Sequence, residues 1–146
     1  MFDTILVSHD GSDHSCHALS RAAELAKILG SDLHLTHTPQ MDTPSIVVGA
    51  LVAPLDRPPS ADQIAAAGKH IVDGATRLAA DQGVEFAEVH LGAGDPARYT
   101  LAVARRIDAD LIVLGRRGLG AVGSLALGSV SQAVSHGATC ACLTVL

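Results

Sequence analysis

Residues 111–118 read Leu-Ile-Val-Leu-Gly-Arg-Arg-Gly. Four consecutive aliphatic residues with no polar alternation describe a short strand buried on both faces, which belongs in the middle of a parallel sheet. After this strand come a glycine-rich loop, Gly115 to Gly128, and a short helix from about Ser129 to His136. A strand that runs through glycines into a helix start can present backbone N–H groups and a helix dipole to an anion. Gly115 is expected to let the chain turn sharply, Gly118 and Gly128 to let backbone approach a phosphate, and Ser129 to supply a hydroxyl. By composition alone, Gly115-x-x-Gly118-x9-Gly128-Ser129 is expected about twice in a hundred such chains.

The rest of the chain repeats the same alternation. Thr4 to Ser8 (TILVS) is a strand, and a polar cluster from His9 to His14 leads into a helix with candidate caps Ser12 and Asp13. Leu19, Ala22, Ala23, Ala26 and Leu29 recur at helical spacing up to Gly30. Asp32 to Thr38 alternates as a second strand, with Leu33, Leu35 and His37 on one face and His34, Thr36 and Thr38 on the other. Pro39 to Pro59 holds five prolines and little periodicity, so it reads as a long connection. Ser60 opens an Ala-rich helix that ends near Gly83, and Phe86 to His90 is a third strand. Gly94-Asp95-Pro96 supplies a turn, an N-cap and a proline at the first helical position for a helix to about Ile107. Cys140 to Leu146 is the last apolar run.

Five strands and four helices in alternation predict an α/β fold of three layers: a doubly wound, five-stranded, mostly parallel sheet with helices on both faces. In the order 3-2-1-4-5, the first and fourth strands are neighbours where the winding reverses, and ligands bind at that point. The loops there begin at His9 and Gly115.

At 146 residues the chain is expected to form one domain, 1–146. With 48% apolar residues, 17% charged and a mean hydropathy of +0.33, it is too hydrophobic for disorder. Two per cent aromatics and a formal charge of -5 give neither stacking platforms nor a basic footprint, so nucleic acid is an unfavourable partner. No apolar run approaches membrane-spanning length and Met1 leads almost directly into a strand, so the expected location is the cytoplasm and no membrane insertion is expected. Three cysteines, an odd number without framework spacing, suit free thiols in a reducing compartment.

Two rival motifs fail. Gly118-Leu-Gly120-Ala-Val-Gly123 fits the dinucleotide fingerprint in form, but no Asp or Glu follows Asp110 to hold a ribose. A Walker loop needs a Gly-Lys-Ser/Thr, and this loop has no lysine. Among eight histidines, His34 and His37 lie three apart on a strand and face opposite sides, which argues against a shared metal; His14 and His17 read as an exposed helix start. Arg116 and Arg117 sit inside the glycine loop, and one of them is expected to offset phosphate charge. The paired base and carboxylates of a fast hydrolase are not evident; Asp10 and Asp13 are the carboxylates nearest the loop.

The opening TILVSHDGS, the GDPA before the third helix, DADLIVLGRRG and the closing GSVSQAVSHGATC together resemble the universal stress proteins, in their ATP-binding branch. The resemblance implies the five-stranded fold, ATP with Mg2+ as ligand, and a homodimer. It implies that Asp10 holds the adenosine part beside Ser8 and His9, and that Thr38 offers backbone to adenine. Gly115, Gly118, Gly128, Ser129 and Val130 would surround the ribose and phosphates. Two departures stand out: Ser8-His9 replaces the family's usual Pro-Val or Pro-Thr, and Cys140-Ala141-Cys142 replaces Cys-Pro-Val. An imidazole at position 9 would then donate to a phosphate, pack on the purine, or lie solvated in the loop. The last strand is an apolar sheet edge, best covered by its own copy across a two-fold axis, so the dimer is expected through Cys140 to Leu146. The leading function is a nucleotide-dependent regulatory module acting on a protein partner of unknown identity by population shift. The alternatives are a slow ATPase or nucleotidyl-transfer enzyme, and a dimeric interaction protein with an empty loop.

Overall fold

A computed structural model describes residues 1–41, 45–48, 51–54, 58–118 and 127–146. Along the chain run β1 (Thr4–Ser8), α1 (Asp13–Leu29), β2 (Asp32–His37), β3 (Ser45–Val48), β4 (Leu51–Pro54), α2 (Ala61–Asp81), β5 (Phe86–Leu91), α3 (Pro96–Arg106), β6 (Leu111–Gly115), α4 (Ser129–Gly137) and β7 (Ala141–Val145). The main sheet is parallel throughout, in the order β5-β2-β1-β6-β7. Counting its strands alone, this is the expected 3-2-1-4-5.

Alternation along the central strands builds two cores. Ile5, Val7, Leu111 and Val113 face α1 and α2, whereas Leu6, Ile112 and Leu114 face α3 and α4. All seven are no more than 4% exposed, and each fully buried aliphatic side chain contributes about 1.5–3 kcal/mol. The helices start where their caps are. Ser12 accepts from Ser15 N, Asp95 from Arg98 N, and Ser60 with Gln63 makes a reciprocal capping box. Gly30, left-handed at φ 72°, ends α1.

The connection at 39–59 corrects the strict alternation read from sequence. Backbone at Ser45–Val48 pairs antiparallel with Leu51–Pro54, Val48 opposite Leu51, so a hairpin lies between β2 and α2. Two short aliphatic runs separated by Gly49-Ala50 carry that signal; the surrounding prolines hid it. The stretches 42–44, 49–50 and 55–57 lie outside the described residues.

Candidate nucleotide-binding site

β1 and β6 are neighbours, with Ser8 opposite Leu114, and the two chains leave the sheet side by side. There a cavity of about 500 Å³ opens, within the usual range for small-molecule sites. Of the residues predicted from sequence, Ser8, His9, Asp10, Thr38, Gly115, Arg117, Gly118, Gly128, Ser129 and Val130 line it. The part of the glycine loop at 119–126 lies outside the described residues. Arg116 is not on that lining. Its backbone stitches the loop instead: its N–H donates to Val145 O at 2.6 Å, and its carbonyl accepts from Gly128 N at 2.8 Å and from Ser131 Oγ at 2.9 Å.

The glycines serve a packing role that the sequence did not disclose. Gly115 ends β6 without a positive φ, so no sharp left-handed turn occurs there. A Cβ at Gly115 would lie 2.8 Å from the His14 carbonyl carbon and from Ser15 N; the glycine lets the first turn of α1 sit against β6. At Gly118, a Cβ would lie 2.6 Å from Asp10 Oδ2. The first and last loops therefore meet through a carboxylate and a bare backbone.

Asp10 is set by its neighbours. Its Oδ1 accepts from Ser12 N at 3.0 Å and Ser12 Oγ at 2.6 Å, and its own N–H donates to Ser15 Oγ. His9 does not lie solvated in the loop, which corrects that part of the sequence reading: it is 5% exposed and lines the cavity, with its Nδ1 buried and without a hydrogen-bond partner. Burial pushes its imidazole below the usual histidine value, against a hydrogen bond to the Ser15 backbone and the charge of Asp10. His37, also buried, donates from Nδ1 to His9 O at 2.8 Å, which fixes its tautomer. Burial lowers its proton affinity too.

Sequence reasoning missed several lining residues, among them Thr36, His37, Ser131 and Thr100, whose Oγ1 bonds Ser8 Oγ at 3.4 Å. Alternation put Thr36 on a sheet face but could not say that the face opens on the cavity. Thr36 Oγ1 is buried without a hydrogen-bond partner. Such an orphan costs about 1–3 kcal/mol unless something else satisfies it. Gly128, the N-cap of α4, supplies no side-chain hydrogen bond, so the first-turn N–H groups from Ser129 onward are left for another acceptor.

The universal stress protein family model matches residues 1–145. The chain belongs to the universal stress protein family. One family relative, universal stress protein YxiE of Bacillus subtilis, is 35% identical over 150 residues, covering 99% of each chain. Among solved universal stress proteins, one in complex with cAMP superposes with a TM-score of 0.75 at 24% identity, covering 99% of this chain and 97% of that one. Another, from Archaeoglobus fulgidus in complex with dAMP, gives 0.69 at 22% identity, covering 99% and 98%. These likenesses establish the shared family fold.

Proposed function

We propose that this universal stress protein binds an adenine nucleotide, ATP with Mg2+, in the cavity between β1 and β6, and acts as a nucleotide-dependent regulatory module in the cytoplasm. The observation that carries the reading is the lining itself. A fixed carboxylate (Asp10), Thr38 beyond β2, uncapped helix amides at Ser129 and Val130 and an orphaned Thr36 hydroxyl surround one hollow. Asp10 would accept from the ribose, Thr38 backbone would meet adenine, and the Gly118 and Gly128–Val130 backbone with Arg117 would hold phosphates. Mg2+ would come with the phosphates, since it is held by one or two carboxylates plus phosphate oxygens. Two fold neighbours solved with adenine nucleotides support the reading.

Freshly purified protein, denatured and chromatographed, should release adenine nucleotide. Saturating MgATP at about a hundredfold over Kd should add about 2.7 kcal/mol and raise the Tm by roughly 5–10 °C; Asp10→Ala should remove most of that shift. No released nucleotide together with no shift ends the proposal.

The same module would pair through β7. Its outer edge has no strand beside it among the described residues, and Leu143 and Leu146 are 37% and 65% exposed. Pairing with a second copy covers both. Elution at the 14.9 kDa monomer mass in micromolar size exclusion would overturn it.

A further inference from the structure

Away from the cavity, the pairing of β2 with β5 contains a shift. Leu33 lies opposite Phe86, but His34 lies opposite Glu88 and Thr36 opposite His90, so β5 carries one extra residue at Ala87. Opposed residues of a parallel pair project to the same face. In an unshifted register, Glu88 and His90 would share the face of Leu35 and His37. The bulge instead puts them on the face of His34, the kind of re-aiming that bulges perform.

His34 Nδ1 and His90 Nε2 are 3.1 Å apart. The ring planes differ by 11° and the centroids are 5.4 Å apart. That separation is the N···N distance plus a ring radius on each side, so the rings meet edge to edge through their nitrogens. Glu88 Oε1 lies 3.5 Å from His90 Nδ1, and ligand atoms of all three side chains lie within 4.8 Å of one another. Two nitrogens on one tetrahedral zinc, each at about 2.0–2.1 Å, stand about 3.3 Å apart. To hold an ion the nitrogens part by a few tenths of an ångström, both rings tilt so that lone-pair directions that now face each other converge, and the exposed Glu88 carboxylate moves from the Nδ1 to the Nε2 side of His90.

We propose that His34, Glu88 and His90 form a binding site for a divalent transition ion of the zinc class. The ion is held by His34 Nδ1, His90 Nε2 and the Glu88 carboxylate, with water completing the shell. Arg106 at the end of α3 guards it. Its Nη2 donates to His90 Nδ1 at 2.9 Å, which places the His90 proton on Nε2, aimed at His34. Ion binding moves that proton to Nδ1 as the exposed Arg106 side chain swings off; the ring stays neutral and releases no net proton.

The test is calorimetric titration of Zn2+ into chelator-treated, nucleotide-free full-length protein, with Co2+ as a spectroscopic probe. One ion per chain and the visible bands of tetrahedral Co2+ are expected. His34→Gln, at a half-buried position that should fold, should weaken zinc by about 100-fold and leave the MgATP thermal shift unchanged. Arg106→Gln should strengthen zinc binding several-fold, an effect that scattered surface histidines would not give. Zinc affinity weaker than about 0.1 mM, or unchanged in His34→Gln, or lost instead on changing His14 and His17, overturns the site.

Discussion

Gly115→Ala is expected to lower the unfolding free energy by about 2–3 kcal/mol and the Tm by roughly 5–10 °C. The added methyl meets backbone on the far side, the His14 carbonyl carbon and Ser15 N at 2.8 Å. Backbone there cannot rotate away. The first turn of α1 is fixed by its Ser12 cap, and β6 is hydrogen-bonded to β1 on one edge and β7 on the other. Relief requires moving a helix off the sheet or bending a central strand. Gly74 in α2 supplies the contrast, because a Cβ there has nothing within 4 Å. Gly74→Ala should stabilise by about 0.5–1 kcal/mol through helix propensity. Denaturant melts of the two variants would decide it; a Gly115→Ala loss below about half a kcal/mol would mean that the helix start is not wedged against β6.

Acidification should destabilise the fold well before its carboxylates protonate. His9 and His37 are 5% and 7% exposed, and burial holds both below the usual histidine value. Each binds a proton more weakly folded than unfolded. Below the ordinary histidine pKa of about 6.5, the unfolded chain therefore takes up more protons than the native one. The stability from neutral burial is complete above that value and is lost as the pH falls through the lowered folded pKa. The coupling is local, since a charged His37 could still donate to His9 O but would sit desolvated beside a second imidazole. Urea midpoints should drop between about pH 7 and pH 5, and His37→Gln should flatten that slope. A midpoint that holds or rises on acidification contradicts this account.

The parallel sheet could be read from residues because its central strands are unbroken aliphatic runs and its helices carry local caps, at Ser12, Ser60 and Asp95. Both signals are short-range. The features that escaped the sequence depend on partners distant along the chain. The value of Gly115 is set by His14 and Ser15, about a hundred positions away. The placing of His34 beside His90 is set by a bulge that forms only when β5 docks on β2. Strand parity correctly separated His34 from His37, but could not supply the third strand's contribution. For the candidate site, spacing singled out the loops after β1 and β6. Thr36 and Thr100 reach the same hollow from elements whose own sequence carries no comparable motif.

The backbone of one residue, Arg116, has an evolutionary consequence. The carbonyl of Arg116 receives the N–H of Gly128 while its own N–H is tied to Val145, so the two ends of the intervening stretch are joined at the neck, independently of what lies between them. Closing a longer excursion costs only about 0.6 kcal/mol per doubling. Natural variation can therefore lengthen, shorten or rewrite the sequence between those ends while the scaffold that joins them inherits no new demand.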